Sequence, residues 1–381
     1  MRGQAYRGGE VRGLTPDTGP RSFTRVSVGS SELRIVNVGI LGFAHAHVGM
    51  YCARWRERPE LGARVTAGWD HDSARAAASC AALGIEPSAS ADDLLSRADV
   101  DAVVIACETS MHAEVVEMAA AAGKAIVLQK PLSLTIEQAD RIVDAVHGAR
   151  VPFTLAWQMR VDPHNLRVKS MLDSGELGRV FMVRRRHCLA TQQMKDFDRS
   201  WHVRPDLNRD IFADDAAHPI DFIYWLLGKP KSVFAEMGTL LNPAIPNDNA
   251  VAVFRYADGM FAEVSCTFVA IAGENTLEVV CEKGVIIGNF GDAPSCGVPR
   301  PPGAVQLKWY TPGADRWIVS EIPEFASHGE RIYGLAGPIA EFLRGERPPI
   351  ATAEEGRDAL RMVLACYESA DQGRRIEIDW R

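Results

Sequence analysis

At 381 residues the chain is longer than one average domain and is expected to hold two. Apolar residues make up 47% and charged residues 24%, enough to bury a full globular core. The formal net charge of -7 leaves no cationic excess for nucleic acid, and the longest cationic run, Arg184-Arg185-Arg186, reads as an exposed strand segment and not as a binding patch.

No apolar stretch approaches the roughly 20 residues that cross a bilayer, and no apolar signal segment opens the chain, so a cytoplasmic protein with no membrane partner is expected. The eight cysteines form no Cys-x-x-Cys pair, and several sit in apolar runs such as Val103-Val104-Ile105-Ala106-Cys107. Buried free thiols are expected, and no structural metal.

Residues 1–33 are rich in Gly, Arg, Ser and Thr with no apolar periodicity and read as a mobile extension. The first strand follows at Leu33-Arg34-Ile35-Val36-Asn37-Val38-Gly39-Ile40-Leu41-Gly42, and a second, Ala63 to Asp70, closes on an acid. Helical segments alternate with further strands at 101–107 and 124–129, which is the βαβ rhythm of a parallel, doubly wound sheet. A helix from about Thr135 to Gly148 and a strand at 152–156 complete it, so a Rossmann-like domain is expected over 34–157. Strands dominate from 179 to 320, and Ala250 to Tyr256 followed by Ala257-Asp258-Gly259 reads as an antiparallel hairpin. The remainder, 158–381, is therefore expected to be an α+β domain with an open, mainly antiparallel sheet. Its last helix, near 353–372, is expected to pack back near the first domain.

A strand, a glycine turn and an acid after the next strand are the ingredients of a dinucleotide site. Asp70 lies 28 residues after Gly42, beyond the usual spacing of about 20. A carboxylate there accepts from ribose hydroxyls and repels the extra phosphate of NADP, so NAD is favoured. The turn Gly42-Phe43-Ala44-His45-Ala46-His47 keeps only the first glycine of G-x-G-x-x-G. Its His45-x-His47 pair diverges on a first helical turn with no third ligand nearby, so a structural or pyrophosphate-adjacent role is preferred to a metal. Lys130 ends the run Val127-Leu128-Gln129-Lys130-Pro131, and Pro131 biases it out of helical geometry, at a strand end where ligands bind in open parallel sheets. Asp214 and His218 stand four apart on a helical pattern and share a face. An ammonium, a carboxylate and an imidazole brought together suit proton transfer to or from a substrate.

The ordered set of motifs resembles the Gfo/Idh/MocA oxidoreductases, named for glucose-fructose oxidoreductase, inositol dehydrogenase and a rhizopine catabolism protein. The resemblance runs from about Leu33 to the C-terminus. It is carried by Ala122-Gly123-Lys124 through Lys130-Pro131, by Arg160 and Pro163, and by Gly175-Glu176-Leu177-Gly178. Asp214-x-x-x-His218-x-x-Asp221 with Trp225-Leu226-Leu227-Gly228, then Glu282-Lys283-Gly284 and Ala365 to Ala370 with Gly373-Arg374, complete it. It implies NAD-dependent oxidation of a secondary ring hydroxyl of a sugar, glycoside or cyclitol, with C3 of a glucoside as one candidate position, and a homo-oligomer built on the open sheet. It implies Lys130, Asp214 and His218 as catalytic residues, with His218 as general base, since an imidazole titrates near pH 6.5. Gly39, Gly42, Phe43, Ala44, His45, Asp70, Gln129 and Lys130 are the implied cofactor contacts. Arg160, Trp201, His202, Arg209 and Asp210 are the candidate substrate contacts, and the polar and aromatic stretch from His187 to Arg209 is expected to cover the substrate.

Three features depart from the family pattern, the irregular Gly42 turn being one. The family's Glu-Lys-Pro is Gln129-Lys130-Pro131 here, and Asn208-Arg209-Asp210 replaces a glycine-rich lead into the catalytic helix. Two other readings stay open: a closed cycle with tightly held NAD that oxidises a sugar transiently to allow elimination, and a redox-silent sugar or nucleotide sensor, which the missing glycines and Gln129 favour.

Overall fold

The computed structural model describes residues 34–289, 302–325 and 328–381. The expected extension over 1–33 and Cys296 lie outside them. The first half alternates β1 (Val36–Leu41), α1 (His47–Glu57), β2 (Ala63–Trp69), α2 (Ser73–Leu83), α3 (Ala91–Ser96), β3 (Ala102–Ile105), α4 (His112–Ala121), β4 (Ala125–Leu128), α5 (Ile136–Ala149) and β5 (Phe153–Leu155). The five strands form one parallel sheet in the order β2-β1-β3-β4-β5. Strand β3 is buried on both faces, as expected of a central parallel strand covered by helices on either side. Gly39 sits inside β1 because a Cβ there would come 2.6 Å from Leu94 Cδ2 of α3. Its role in the fold is sheet-to-helix packing.

After α6 (Pro163–Asp173) the chain builds a nine-stranded sheet from β6 (Val180–Cys188), β7 (Ser232–Gly238), β8 (Asn249–Arg255), β9 (Phe261–Thr267), β10 (Thr276–Cys281), β11 (Gly284–Asn289), β12 (Leu307–Tyr310), β13 (Ile318–Val319) and β14 (Ile376–Glu377). The order is β13-β12-β11-β10-β6-β9-β8-β7-β14, antiparallel except for the β6·β9 pair. One face packs on α7 (Ala217–Leu227) and α10 (Ala353–Gln372). The other keeps Phe181, Val251 and Phe261 exposed. The alternation of β6 corrects the reading of its arginines: Arg184 and Arg186 point out, whereas Arg185 is buried at 2% exposure.

Helices α8 (His328–Tyr333) and α9 (Ala336–Leu343) lie against α1, and Trp55 Nε1 donates to Ala336 O at 2.8 Å. The segment 350–351 completes the edge of β5: Leu155 N donates to Ala351 O and Ile350 N to Thr154 Oγ1. A Thr352–Glu355 capping box starts α10, which packs on α5 and α7. Among the described residues no helix is long and apolar enough to cross a membrane. The seven described cysteines are all buried and free.

Arg160, a candidate substrate contact, is part of this framework. Its guanidinium clasps Asp221 of α7 through two bonds, at 3.0 and 2.7 Å, and reaches Glu355 of α10 at 3.0 Å. It does not line the cavity described below. Because removing one partner strands a buried charge, Arg160→Met should cost about 3–5 kcal/mol in urea unfolding. The NAD affinity of the folded fraction should stay as it was.

Candidate active site

The C-terminal edge of the parallel sheet faces the second domain, and the end of each strand delivers one group to it. After β1 the chain turns at Gly42, where φ is +88° and a Cβ would lie 2.4 Å from Cys107 N. Only glycine fits both the left-handed conformation and that approach. The turn leads into α1, whose N-terminus carries the partial positive charge that suits a pyrophosphate. At the end of β2, Asp70 is buried and its two oxygens accept four hydrogen bonds. The donors are Phe43 N at 2.6 Å, Asp72 N at 2.8 Å, and Arg75 Nε and Nη2 at 2.7 and 2.8 Å. Arg75 also pairs with Glu108 at 2.9 Å. The turn and the acid therefore fit a dinucleotide, with Asp70 holding both the turn and the partly exposed Arg75. Ala44 gives its carbonyl to Trp201 Nε1 at 3.1 Å.

At the end of β4, Gln129 turns away from the cavity and donates to Tyr51 Oη of α1 at 3.0 Å. Lys130 points into it, and its Nζ lies 3.1 Å from Asp214 Oδ1 and 3.3 Å from Asp214 O. The helix that carries Asp214 is not regular. Phe212–Ala216 forms a π-helical turn ahead of α7, so the four-residue spacing does not pair Asp214 with His218 as a straight α-helix would. Asp214 instead meets Lys130 and, at 3.0 Å, His202 Nδ1. Asp215 serves the other imidazoles, 2.8 Å from His187 Nε2 and 3.9 Å from His218 Nε2. The extra residue of the π turn is thus what turns two neighbouring carboxylates towards one site.

The cavity these groups surround measures about 210 Å³ and is lined by His45, Lys130, Gln158, His187, His202 and His218, among others. Residues that line it carry polar atoms without internal partners: His45 Nε2, Gln158 Oε1, Asn165 Oδ1, His187 Nδ1 and His218 Nδ1 are all buried and unbonded. Such groups are costly unless a ligand meets them. Burial would raise the Asp214 carboxyl, but Lys130 and then His202 outweigh it and hold it well below the usual carboxylate range. Burial, reinforced by Lys130, pushes the His218 imidazole well below 6.5, and burial does the same to His45. Both rings are neutral at pH 7.

Of the candidate substrate contacts, His202 lines the cavity, stacked on Trp201 with ring centroids 4.0 Å apart. Trp201 itself does not reach the cavity and acts as a strut to the glycine turn. Arg209 adopts φ +74° and lies over the Tyr367 ring at 4.6 Å. Asp210 accepts from Ala213 N, Asn247 Nδ2 and Tyr367 Oη. Neither lines the cavity, because the π turn uses them to anchor its start. Sequence reasoning did not single out Asp215, Gln158 or Asn165. The pair Asp214-Asp215 was visible, but only a π turn makes both useful. His45 and His47 lie 4.4 Å apart, and no group of three metal-binding side chains occurs among the described residues.

Residues 34–156 match the family model for the NAD-binding Rossmann fold of an oxidoreductase family, and residues 165–287 match the GFO/IDH/MocA C-terminal domain. An inositol 2-dehydrogenase of Rhizobium meliloti is 32% identical over 59% of this chain and 67% of its own length. A scyllo-inositol 2-dehydrogenase (NAD(+)) of Bacillus subtilis is 25% identical over 90% of this chain and 96% of its own. The chain spans as little as 54% of the length of some other curated relatives, such as inositol 2-dehydrogenase 2 of Saccharopolyspora erythraea. Its fold superposes on levoglucosan dehydrogenase in complex with NADH and levoglucosan with a TM-score of 0.79, at 20% identity, covering 91% of this chain and 100% of that one.

Two outcomes follow from the site's electrostatics. Asp70→Ala should weaken NAD at least tenfold in a binding titration and narrow the preference over NADP, since it frees Arg75. The unfolded imidazoles of His45 and His218 take protons below about pH 6.5 while the folded ones do not, so stability should fall as pH drops through that value. Thermal midpoints measured from pH 7.5 to 5.5 should show the decline, and His45→Gln should lessen it.

With both family models matched in order along one chain, and with the glycine turn, Asp70 and Lys130 at the strand ends they require, the protein belongs to the Gfo/Idh/MocA oxidoreductase family and carries an NAD-binding Rossmann domain.

Proposed function

We propose that the chain is an NAD-dependent dehydrogenase that oxidises a secondary ring hydroxyl of a sugar, glycoside or cyclitol, with His218 as general base. The observation that carries this reading is the ring of unbonded polar atoms around a monosaccharide-sized cavity that also holds Lys130 and His218. A polyol supplies hydroxyls that donate and accept, which is what such a lining lacks. The inositol dehydrogenases among the relatives support the same substrate class. The C3 hydroxyl of a glucoside belongs to that class and is the finer form of the proposal.

His218 Nε2 lies 3.4 Å from the Gln158 amide and on the side of Asp215. The neutral imidazole carries one ring proton and keeps one lone pair, and the nitrogen that holds the lone pair takes the substrate's hydroxyl proton. Lys130, fixed by Asp214, donates to the oxygen as negative charge develops there. NAD supplies the hydride acceptor. Asp214 and its partner His202 hold the ammonium in place and do not move a proton in this scheme.

Purified protein with NAD should produce NADH absorbance on addition of at least one compound in a panel of inositols, pyranoses and alkyl glucosides. Silence across the panel, with NAD bound, would sink the reading. His218→Ala should lower kcat by about 10²–10⁴-fold with NAD affinity nearly unchanged. Because burial lowers the His218 pKa, the acid limb of kcat/KM should fall below pH 6.5; a limb above pH 7 would assign the base elsewhere.

A further inference from the structure

The cavity has walls of two kinds. Lys130 and Gln158 follow strands β4 and β5, and Asp214 and His218 sit on the π turn and on α7, so this wall is polar. The other is a strap, residues 189–203, that leaves the end of β6 and runs back to the glycine turn. It is pinned at both ends. Thr191 N and Oγ1 donate to Phe268 O at 2.9 and 2.7 Å, and Gln192 Nε2 donates to Val269 O at 2.7 Å, just beyond β9. At the far end Trp201 Nε1 holds Ala44 O at 3.1 Å.

Between the pins the strap reads Gln192-Gln193-Met194-Lys195-Asp196-Phe197-Asp198-Arg199. Its polar residues are exposed, and its only apolar residues, Met194 and Phe197, both line the cavity. Phe197 N closes a turn on Met194 O at 3.3 Å, which keeps the two adjacent, and Leu189 extends the same wall at the start of the strap. The Phe197 ring lies nearly parallel to that of His202, at an angle of 13° with centroids 5.9 Å apart, and is steadied by it. Met194 keeps 40% of its surface exposed. Apolar surface left in water beside a binding cavity gains free energy when a ligand covers it. A volume of about 210 Å³ is filled by a single sugar ring, and the exposure of Met194 puts it at the open end, where a substituent on that ring would emerge.

We propose that the substrate of this cavity is a glycoside with an apolar aglycone, whose sugar ring meets Lys130 and His218 and whose aglycone lies on Met194 and Phe197. The proposal rests on the dehydrogenase reading of the cavity and narrows its substrate class from free sugars and cyclitols to amphipathic glycosides. A free cyclitol carries hydroxyls all round its edge and has nothing with which to cover a thioether and a phenyl ring at the mouth. An aromatic aglycone suits them best, because a methionine sulfur sits well at a ring edge and a phenylalanine pairs with a second ring by offset or edge contact.

The test is equilibrium binding to the full chain saturated with NAD, read by calorimetry, with two matched pairs. These are methyl against phenyl α-D-glucopyranoside, and methyl against phenyl β-D-glucopyranoside. The phenyl glycoside of at least one pair should bind about 10- to 50-fold more tightly than its methyl partner, the ratio expected from covering roughly 60–90 Å² of apolar surface. In Met194→Ser, whose exposed position spares the fold, and independently in Phe197→Ser, that ratio should collapse towards one through weaker binding of the phenyl compound. Equal or tighter binding of the methyl partner in both pairs, no binding by either phenyl glycoside, or a ratio that survives both substitutions overturns the proposal. The binding ratio needs no turnover, so it is independent of whether any sugar or cyclitol produces NADH, which decides the dehydrogenase reading.

Discussion

The buried contact between Lys130 and Asp214 joins the two halves of the molecule at the point where chemistry is expected. Lys130 leaves the parallel sheet at the end of β4, and Asp214 stands on the π turn that opens the principal helix of the second domain. Both side chains are almost without solvent, so neither charge is tolerable without the other. The rest of the site is arranged around that requirement. His202 takes the second oxygen of Asp214, Trp201 stacks on His202 and reaches back to the glycine turn, and Asn208 is buried against Thr109 and the His202 carbonyl. The covering stretch is thus tied to both domains through the partners of one carboxylate.

Burial also sorts the imidazoles. His218 and His45 are dry and close to Lys130, which keeps them neutral, whereas His187 and His202 each have a carboxylate within 3.0 Å. A base needs an unprotonated lone pair at working pH, and a positioning group needs a steady partner. The cavity contains both kinds side by side, set by whether a carboxylate lies within hydrogen-bonding reach of the ring.

Much of the fold was legible because its signals are periodic: β-branched runs buried on both faces for the parallel strands, alternation for the mixed sheet, and Gly42 and Asp70 at strand ends. Lys130 and His218 were legible through motif order. What was hidden depended on local geometry that no spacing encodes. The π turn shifts Asp215 into the site and takes Arg209 and Asp210 out of it. Arg160 carries the right motif position but faces Asp221, a partner 61 residues away. Arg185 was lost for a simpler reason, since three successive arginines look uniform until the pleat assigns the middle one to the opposite face.

The strand β5 ends the parallel sheet, yet its outer hydrogen bonds and a threonine side chain are met by residues 350 and 351. These lie nearly two hundred residues downstream, beyond eight of the nine strands of the second sheet. During synthesis the nucleotide-binding half therefore emerges with an unfinished border, and it waits for almost the whole chain before that border closes. Folding of the two halves is therefore coupled by order of arrival as well as by contact.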